Sequence, residues 1–321
     1  GRRRPAPPVR RAAPLAAPPP FWYKIGFMAA GTDGKATGLQ RGRFLGPGDV
    51  VAGRFRIERL VAKSLLGEDY LASDEKSDRQ IHVQVAAPES IQGQGGLERL
   101  KAEMRTASQL THKNIVTTYG MGQLQSGATY ITMEWFDARR LSEIVAERHA
   151  AGRAFSLRGA YNIVAHVCNA LDFAHKTRIH GTLSPAAIAV SDSGRVKICD
   201  FHASRLAYML PQVRRQVPED QTRFWAPEVK ASAAVITSRA DVYSLGAVLW
   251  DLLVGGFSPE GRPALASLRP DLPAEMDEYV GRCLETEPAS RWKTTGELKE
   301  AMAILVEREP AEQAEAAAPD A

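Results

Sequence analysis

With 321 residues, 44% of them hydrophobic and 24% charged, the chain can bury a sizeable core and has room for one large domain or two lobes. Its three cysteines, Cys168, Cys199 and Cys283, are odd in number, far apart and in no metal-ligand spacing, which excludes a disulfide framework or zinc site and suits a cytoplasmic setting. The net charge of +4 does not point to nucleic acid: residues 1–43 hold nine Lys/Arg against one acid, leaving 32 bases against 36 acids in residues 44–321, so no nucleic-acid partner is expected.

Residues 1–45 read as a disordered Pro/Ala/Arg-rich tail, because GRRRPAPPVRRAAPLAAPPP has almost nothing to bury against the entropy of ordering it. Met28 is a candidate true start, which would take the net charge from +4 to −2, and FWYKIGF just before it is a candidate docking segment. From Val51 the pattern turns strand-like: RFRIERLVA, EDYLASD and RQIHVQVAA are rich in β-branched or aromatic residues and separated by turn formers, which predicts three antiparallel strands. Leu97 to Leu110 has helical spacing, NIVTTYGMGQLQSGATYITMEW predicts two more strands around a glycine turn, and from Leu141 the pattern is mostly helical.

The predicted class is therefore α+β, with a small antiparallel β-rich lobe over residues 48–137 and a larger, mainly helical lobe over 138–306. The longest apolar run, Val242 to Val254, is broken by Ser244, Gly246 and Asp251 and is shorter than the roughly 20 residues a spanning helix needs, so no transmembrane segment is predicted. Residues 307–321 read as an acidic, Ala-rich disordered tail.

The order of segments resembles the bacterial (Hanks-type) serine/threonine protein kinases over roughly Gly48 to Val306. GDVVAGRFRIERL is similar to the family's lead-in strand, Glu103 in LKAEMRTASQLTHKNIV stands where the helix-C glutamate stands, and YITMEWF resembles the last small-lobe strand and hinge. ALDFAHKTRIHGTLSPAAIAV is similar to the catalytic-loop region, VKICDFHASR to the metal-binding segment, RFWAPE to the end of the activation segment and SRADVYSLGAVLWDLL to the central helix of the large lobe.

Phosphoryl transfer needs a triphosphate held by backbone amides and a lysine, metal held by oxygen ligands, and a carboxylate to orient the attacking hydroxyl. Against the family's G-x-G-x-x-G turn, this chain has Ala62, Ser64 and Gly67, and only glycine lets backbone approach phosphate closely. Gln84 stands in the place of the strand lysine; its amide can hydrogen-bond Glu103 but cannot neutralise phosphate. Lys63 is the alternative lysine, as in the with-no-lysine kinases, or else a solvated loop residue.

Where the family has H-R-D-L-K-P-E-N, the chain has His180-Gly181-Thr182-Leu183-Ser184-Pro185-Ala186-Ala187. Thr182 replaces the general base, Ser184 the loop lysine and Ala187 the metal-binding asparagine, and a threonine hydroxyl is too weakly basic to take the substrate proton. Asp200 in DFH keeps the carboxylate of D-F-G and is the one candidate metal ligand, with a structural role as the alternative.

The resemblance places Asp69 and His82 in the apolar roof over adenine, with Met133 and Trp135 completing a degenerate nucleotide pocket. Two polar groups on neighbouring strands are costly unless they bond to each other, so an Asp69–His82 hydrogen bond filling the adenine space is expected; the alternative is shifted strands with both side chains in solvent. The scaffold groups are kept: Glu228 with Arg291, Asp241 to accept catalytic-loop amides, and His180 with Phe201. The reading that follows is a pseudokinase, a protein-binding scaffold or allosteric regulator in bacterial signalling with an unidentified protein partner and no expected cofactor; the alternative is a residual phosphotransferase or nucleotide-gated switch using ATP and magnesium.

Overall fold

A computed structural model describes residues 44–308, apart from 92, 94, 232–234 and 261–262. Met28, FWYKIGF and nearly all of both predicted tails lie outside the described residues. The tail boundaries need correcting where they overlap: the Phe44 amide donates to Glu68 Oε2 at 3.1 Å and the Leu45 amide to the Tyr70 hydroxyl at 3.1 Å, while the last helix runs through Glu307.

Six strands form the small lobe: β1 (Val50–Val51), β2 (Phe55–Lys63), β3 (Gly67–Asp74), β4 (Arg79–Ala86), β5 (Thr118–Gln123) and β6 (Thr129–Glu134). They lie in the order β1-β2-β3-β4-β6-β5, every pair antiparallel. Period-two alternation drives this: Phe55 and Ile57 turn inward while Arg56 and Glu58 face out. The inward residues meet Tyr70, Ala72, Ile81, Val83 and Val85 in a small core of their own. Between β4 and β5 come α1 (Pro88–Ile91) and α2 (Gly96–Ala107), whose face of Leu100, Glu103, Met104 and Ala107 is buried at helical spacing.

The large lobe begins with β7 (Arg139–Arg140), α3 (Leu141–Ala150) and α4 (Leu157–Ala174), the last capped by the Ser156 hydroxyl accepting from the Gly159 amide. A 3-10 turn at Pro185–Ala187 leads into β8 (Ile188–Val190) and β9 (Val196–Ile198), which pair with β7 in a second sheet. Four helices follow: α5 (Phe201–Met209), α6 (Pro211–Arg214), α7 (Glu219–Thr222) and α8 (Pro227–Lys230). Then come α9 (Arg239–Leu253), α10 (Leu265–Leu268), α11 (Glu275–Cys283) and α12 (Thr295–Glu307).

Helix α9 is buried from Ala240 to Leu253, so its sequence reads as an apolar run rather than an amphipathic face. Helices α11 and α4 pack on it, and α12 closes over α4. Among the described residues no helix is long and apolar enough to cross a membrane.

Candidate functional site

The roof of the cleft is built by β3 and β4. In their register Asp69 is opposite Gln84 and Leu71 opposite His82, so Asp69 and His82 are diagonal neighbours on one face. His82 Nε2 lies 3.1 Å from Asp69 Oδ1 but lacks the alignment of a hydrogen bond. The aligned donor to that oxygen is Gln84 Nε2, at 2.9 Å, which also donates to Ser64 Oγ at 2.9 Å. The expected two-residue pair is thus a four-residue cluster centred on Gln84. Burial alone would push the Asp69 carboxyl up; His82, Gln84 and Ser64 together outweigh it and hold the group below its ordinary value. Met133 is buried opposite His82, and Trp135 sits with its ring edge-on to His82, the centroids 6.4 Å apart.

The phosphate turn is closed on itself. The Ser64 amide donates to the Gly67 carbonyl at 2.7 Å and the Gly67 amide to the Ser64 carbonyl at 3.2 Å. A Cβ on Gly67 would stand 2.0 Å from the Val85 carbonyl oxygen, so the close approach of β3 to β4 accounts for this glycine. Ala62 lies in β2, paired with Asp69. The Lys63 side chain is 71% exposed and its Nζ is 3.9 Å from Glu68, so it serves the outer surface and not the cleft.

The floor is the segment before β8. Asp241, fully buried, accepts from the His180 amide at 2.9 Å, the Gly181 amide at 2.6 Å and His175 Nε2 at 2.8 Å. Burial raises its pKa, but His175 and these amides prevail and hold it below the ordinary value. His180 directs Nε2 at the Cys199 carbonyl, 3.2 Å away, and meets Phe201 edge-on at 4.9 Å between centroids. The Thr182 hydroxyl donates to the Ser204 carbonyl at 3.3 Å; Ser184 and Ala187 are buried at the two ends of the 3-10 turn. No carboxylate stands in the chain from Ile179 to Val190.

Asp200 adopts a left-handed conformation, φ 63° and ψ 17°, and helix α5 starts at the next residue. Its Oδ2 is 3.4 Å from Arg140 Nη1. Burial works against the Arg140 charge, but Cys199, Asp200 and Asp69 more than compensate and raise its pKa, so a permanent cation stands beside Asp200.

Glu103 does not bond to Gln84, contrary to the sequence expectation. Its Oε2 accepts from Arg178 Nη2 at 2.6 Å and its Oε1 is 3.5 Å from Arg205 Nη1. Arg178, nearly fully buried, also donates to the Thr106 hydroxyl at 2.7 Å, the Glu103 carbonyl at 3.2 Å and the Phe201 carbonyl at 2.6 Å. Sequence reasoning missed Arg178 and Arg140 as cleft residues and read His202 only as a stiffer replacement for the glycine of D-F-G. One signal for Arg178 was available: with a neutral glutamine at position 84, a buried Glu103 has to find its cation elsewhere.

At the far side of the large lobe Arg291 holds Glu228 with two bonds, 2.7 and 2.9 Å, and donates to three backbone carbonyls. Two cavities of about 520 Å³ each adjoin Arg79 and Tyr119; neither is lined by Asp69, Gln84, Thr182 or Asp200.

A family model described as protein tyrosine and serine/threonine kinase matches residues 55–302. Serine/threonine-protein kinase PknA of Mycobacterium tuberculosis is 29% identical over 274 residues, which are 80% of this chain and 62% of PknA. Serine/threonine-protein kinase PrkC of Bacillus subtilis is 24% identical over 267 residues, 78% of this chain and 40% of PrkC. The chain thus spans less than two thirds of either relative. Among solved structures, the Mycobacterium tuberculosis PknI kinase domain superposes with a TM-score of 0.68 at 26% identity, covering 81% of this chain and 99% of that domain.

Proposed function

Because the chain belongs to the protein tyrosine and serine/threonine kinase family, we propose that it is a pseudokinase, a kinase fold that binds a protein partner as a scaffold or allosteric regulator in bacterial signalling. The observation that carries this reading is the cleft itself: Gln84, Thr182 and Ala187 stand at the phosphate-binding, base and metal positions, and the one retained carboxylate there, Asp200, faces Arg140 at 3.4 Å.

The residues present do not fit ATP with magnesium. Metal binding at Asp200 has to displace a guanidinium, and no second oxygen ligand stands at Ala187. A purine under the roof meets the Asp69 carboxylate and the His82 ring in place of apolar side chains, which costs desolvation on both sides. The turn amides are used internally, and Thr182 spends its hydroxyl on a backbone carbonyl. No step of phosphate transfer is derived for this chain.

The test is thermal melting of the full chain with and without ATP and magnesium. A ligand at about a hundredfold over its dissociation constant stabilises a protein by about 2.7 kcal/mol, so binding is readily seen. The expected result is an unchanged melting temperature and no labelled phosphate on any added protein substrate. A metal-dependent rise argues for a nucleotide-gated switch, and phosphate incorporation overturns the pseudokinase reading.

A further inference from the structure

The positions that lost phosphate chemistry are seats for helix α5. Gln84 Oε1 accepts from His202 Nε2 at 2.9 Å, and the Thr182 hydroxyl donates to the Ser204 carbonyl at 3.3 Å. Gly181 has φ +82°, and a Cβ there would stand 2.9 Å from Tyr208 Cε1, so the absence of a side chain makes room for the Tyr208 ring. At the start of the helix, Asp200 meets Arg140. On the opposite side, Glu103 approaches Arg205, and Arg178 joins the Glu103 carboxylate and the Phe201 carbonyl through one nitrogen.

These contacts come from both lobes. Gln84 belongs to β4 and Glu103 to α2 in the small lobe, while Arg178, Gly181 and Thr182 belong to the large one. Gln84, Glu103, Arg178, Thr182, Phe201, His202 and Ser204 are all buried. Charges at such depth are costly unless their geometry is good and their remaining donors and acceptors are satisfied. Arg178 nears that condition, with four acceptors on its two terminal nitrogens. Helix α2 is thereby tied to the large lobe, and β4 contributes to the same seat through Gln84.

We propose that helix α5, with Arg178, is a permanent internal bridge that fixes the small lobe on the large one and leaves that joint independent of any nucleotide. The proposal deepens the pseudokinase reading and rests on it for the statement that no nucleotide shares the cleft. A partner then meets one preformed shape of the two lobes, set by the chain alone.

Hydrogen–deuterium exchange on the full chain without nucleotide tests this. The amides of α5 are expected to be protected to within about tenfold of those in α9, because both sit in cooperative, buried structure. Arg178→Met is expected to speed exchange in α5 and α2 at least tenfold, with α9 and α12 unchanged. Should that variant fail to fold by circular dichroism, His202→Ala removes a single neutral bond and is expected to raise exchange in α5 selectively, by a few-fold. Loop-like exchange of α5 in the unaltered protein overturns the bridge, as does a uniform or absent response in a folded variant. An ATP and magnesium arm separates the two readings. If ATP raises the melting temperature while α5 stays protected, the statement that no nucleotide shares the cleft fails and the bridge stands; if ATP deprotects α5, the bridge is overturned.

Discussion

His202 carries an ionisable ring into a place that water does not reach: Nε2 is held by the Gln84 amide oxygen, and Nδ1 has no hydrogen-bond partner. Burial pushes its pKa from 6.5 down to about 4, and nearby Asp200 and Asp69 offset only part of that. The unfolded chain therefore takes up this proton at about 6.5 while the fold resists it until about 4. Stability from the neutral ring is complete above the upper value and is lost as pH falls toward the lower one, about 2 kcal/mol between pH 7 and pH 5. Buried His180 shifts in the same direction and adds to the slope. Asp69 and Asp241, both held below their ordinary value of 3.8, begin to lose their contribution only at more acid pH. Urea denaturation at pH 7 and pH 5 measures this. The unaltered protein is expected to lose stability across that interval and His202→Gln to lose distinctly less; equal losses would refute the assignment.

At the scale of elements, α9 and α11 approach each other closely at a single glycine. A Cβ on Gly246 would lie 2.3 Å from the Cys283 Cβ and 3.3 Å from its Sγ, so the glycine lets two helices meet where any side chain would force them apart. Gly246→Ala is expected to cost about 1–3 kcal/mol, the usual penalty for overpacking a core. Adding Cys283→Ala is not expected to restore the loss, because the clash is with Cβ and not with sulfur; recovery of the melting temperature in that double variant would show the geometry to be wrong. Elements with a strong local signal were legible in the sequence. The alternation of β2 and the apolar run of α9 follow from which faces are covered; the family resemblance set Asp69 beside His82, but it paired Gln84 with Glu103, and the Gln84 amide bonds Asp69 instead. Helix α5 was not singled out: Phe201, Ala203, Leu206 and Ala207 owe their burial partly to contacts with the distant α2, and the family resemblance assigned this stretch only to the metal-binding and activation segments. Arg178 was missed because its partner, Glu103, is 75 residues away, beyond anything a local pattern encodes.

Across the whole molecule the supports of the large lobe and the groups of the cleft carry different energetic weight. Arg291 is fully buried in its side chain and Glu228 is 12% exposed, with two parallel bonds between them. Removing the carboxylate charge leaves a buried guanidinium uncompensated, and breaking such a pair costs about 3–5 kcal/mol. The carbonyls of Glu285, Thr286 and Arg239 still accept from Arg291, which places Glu228→Gln near the lower end of that range. Thr182 gives a contrasting case: its hydroxyl makes one bond of 3.3 Å to a carbonyl, worth about 0.5–1.5 kcal/mol. If the chain is kept for its scaffold, Glu228→Gln lowers the folded population strongly and weakens capture of the native partner in proportion, whereas Thr182→Ala changes stability little and partner capture not at all. Denaturation curves of the two variants, read beside partner recovery at a temperature where both are folded and at one within the Glu228→Gln unfolding transition, decide the matter. A Thr182→Ala protein that folds normally yet loses its partner would place function in the cleft and overturn the scaffold reading.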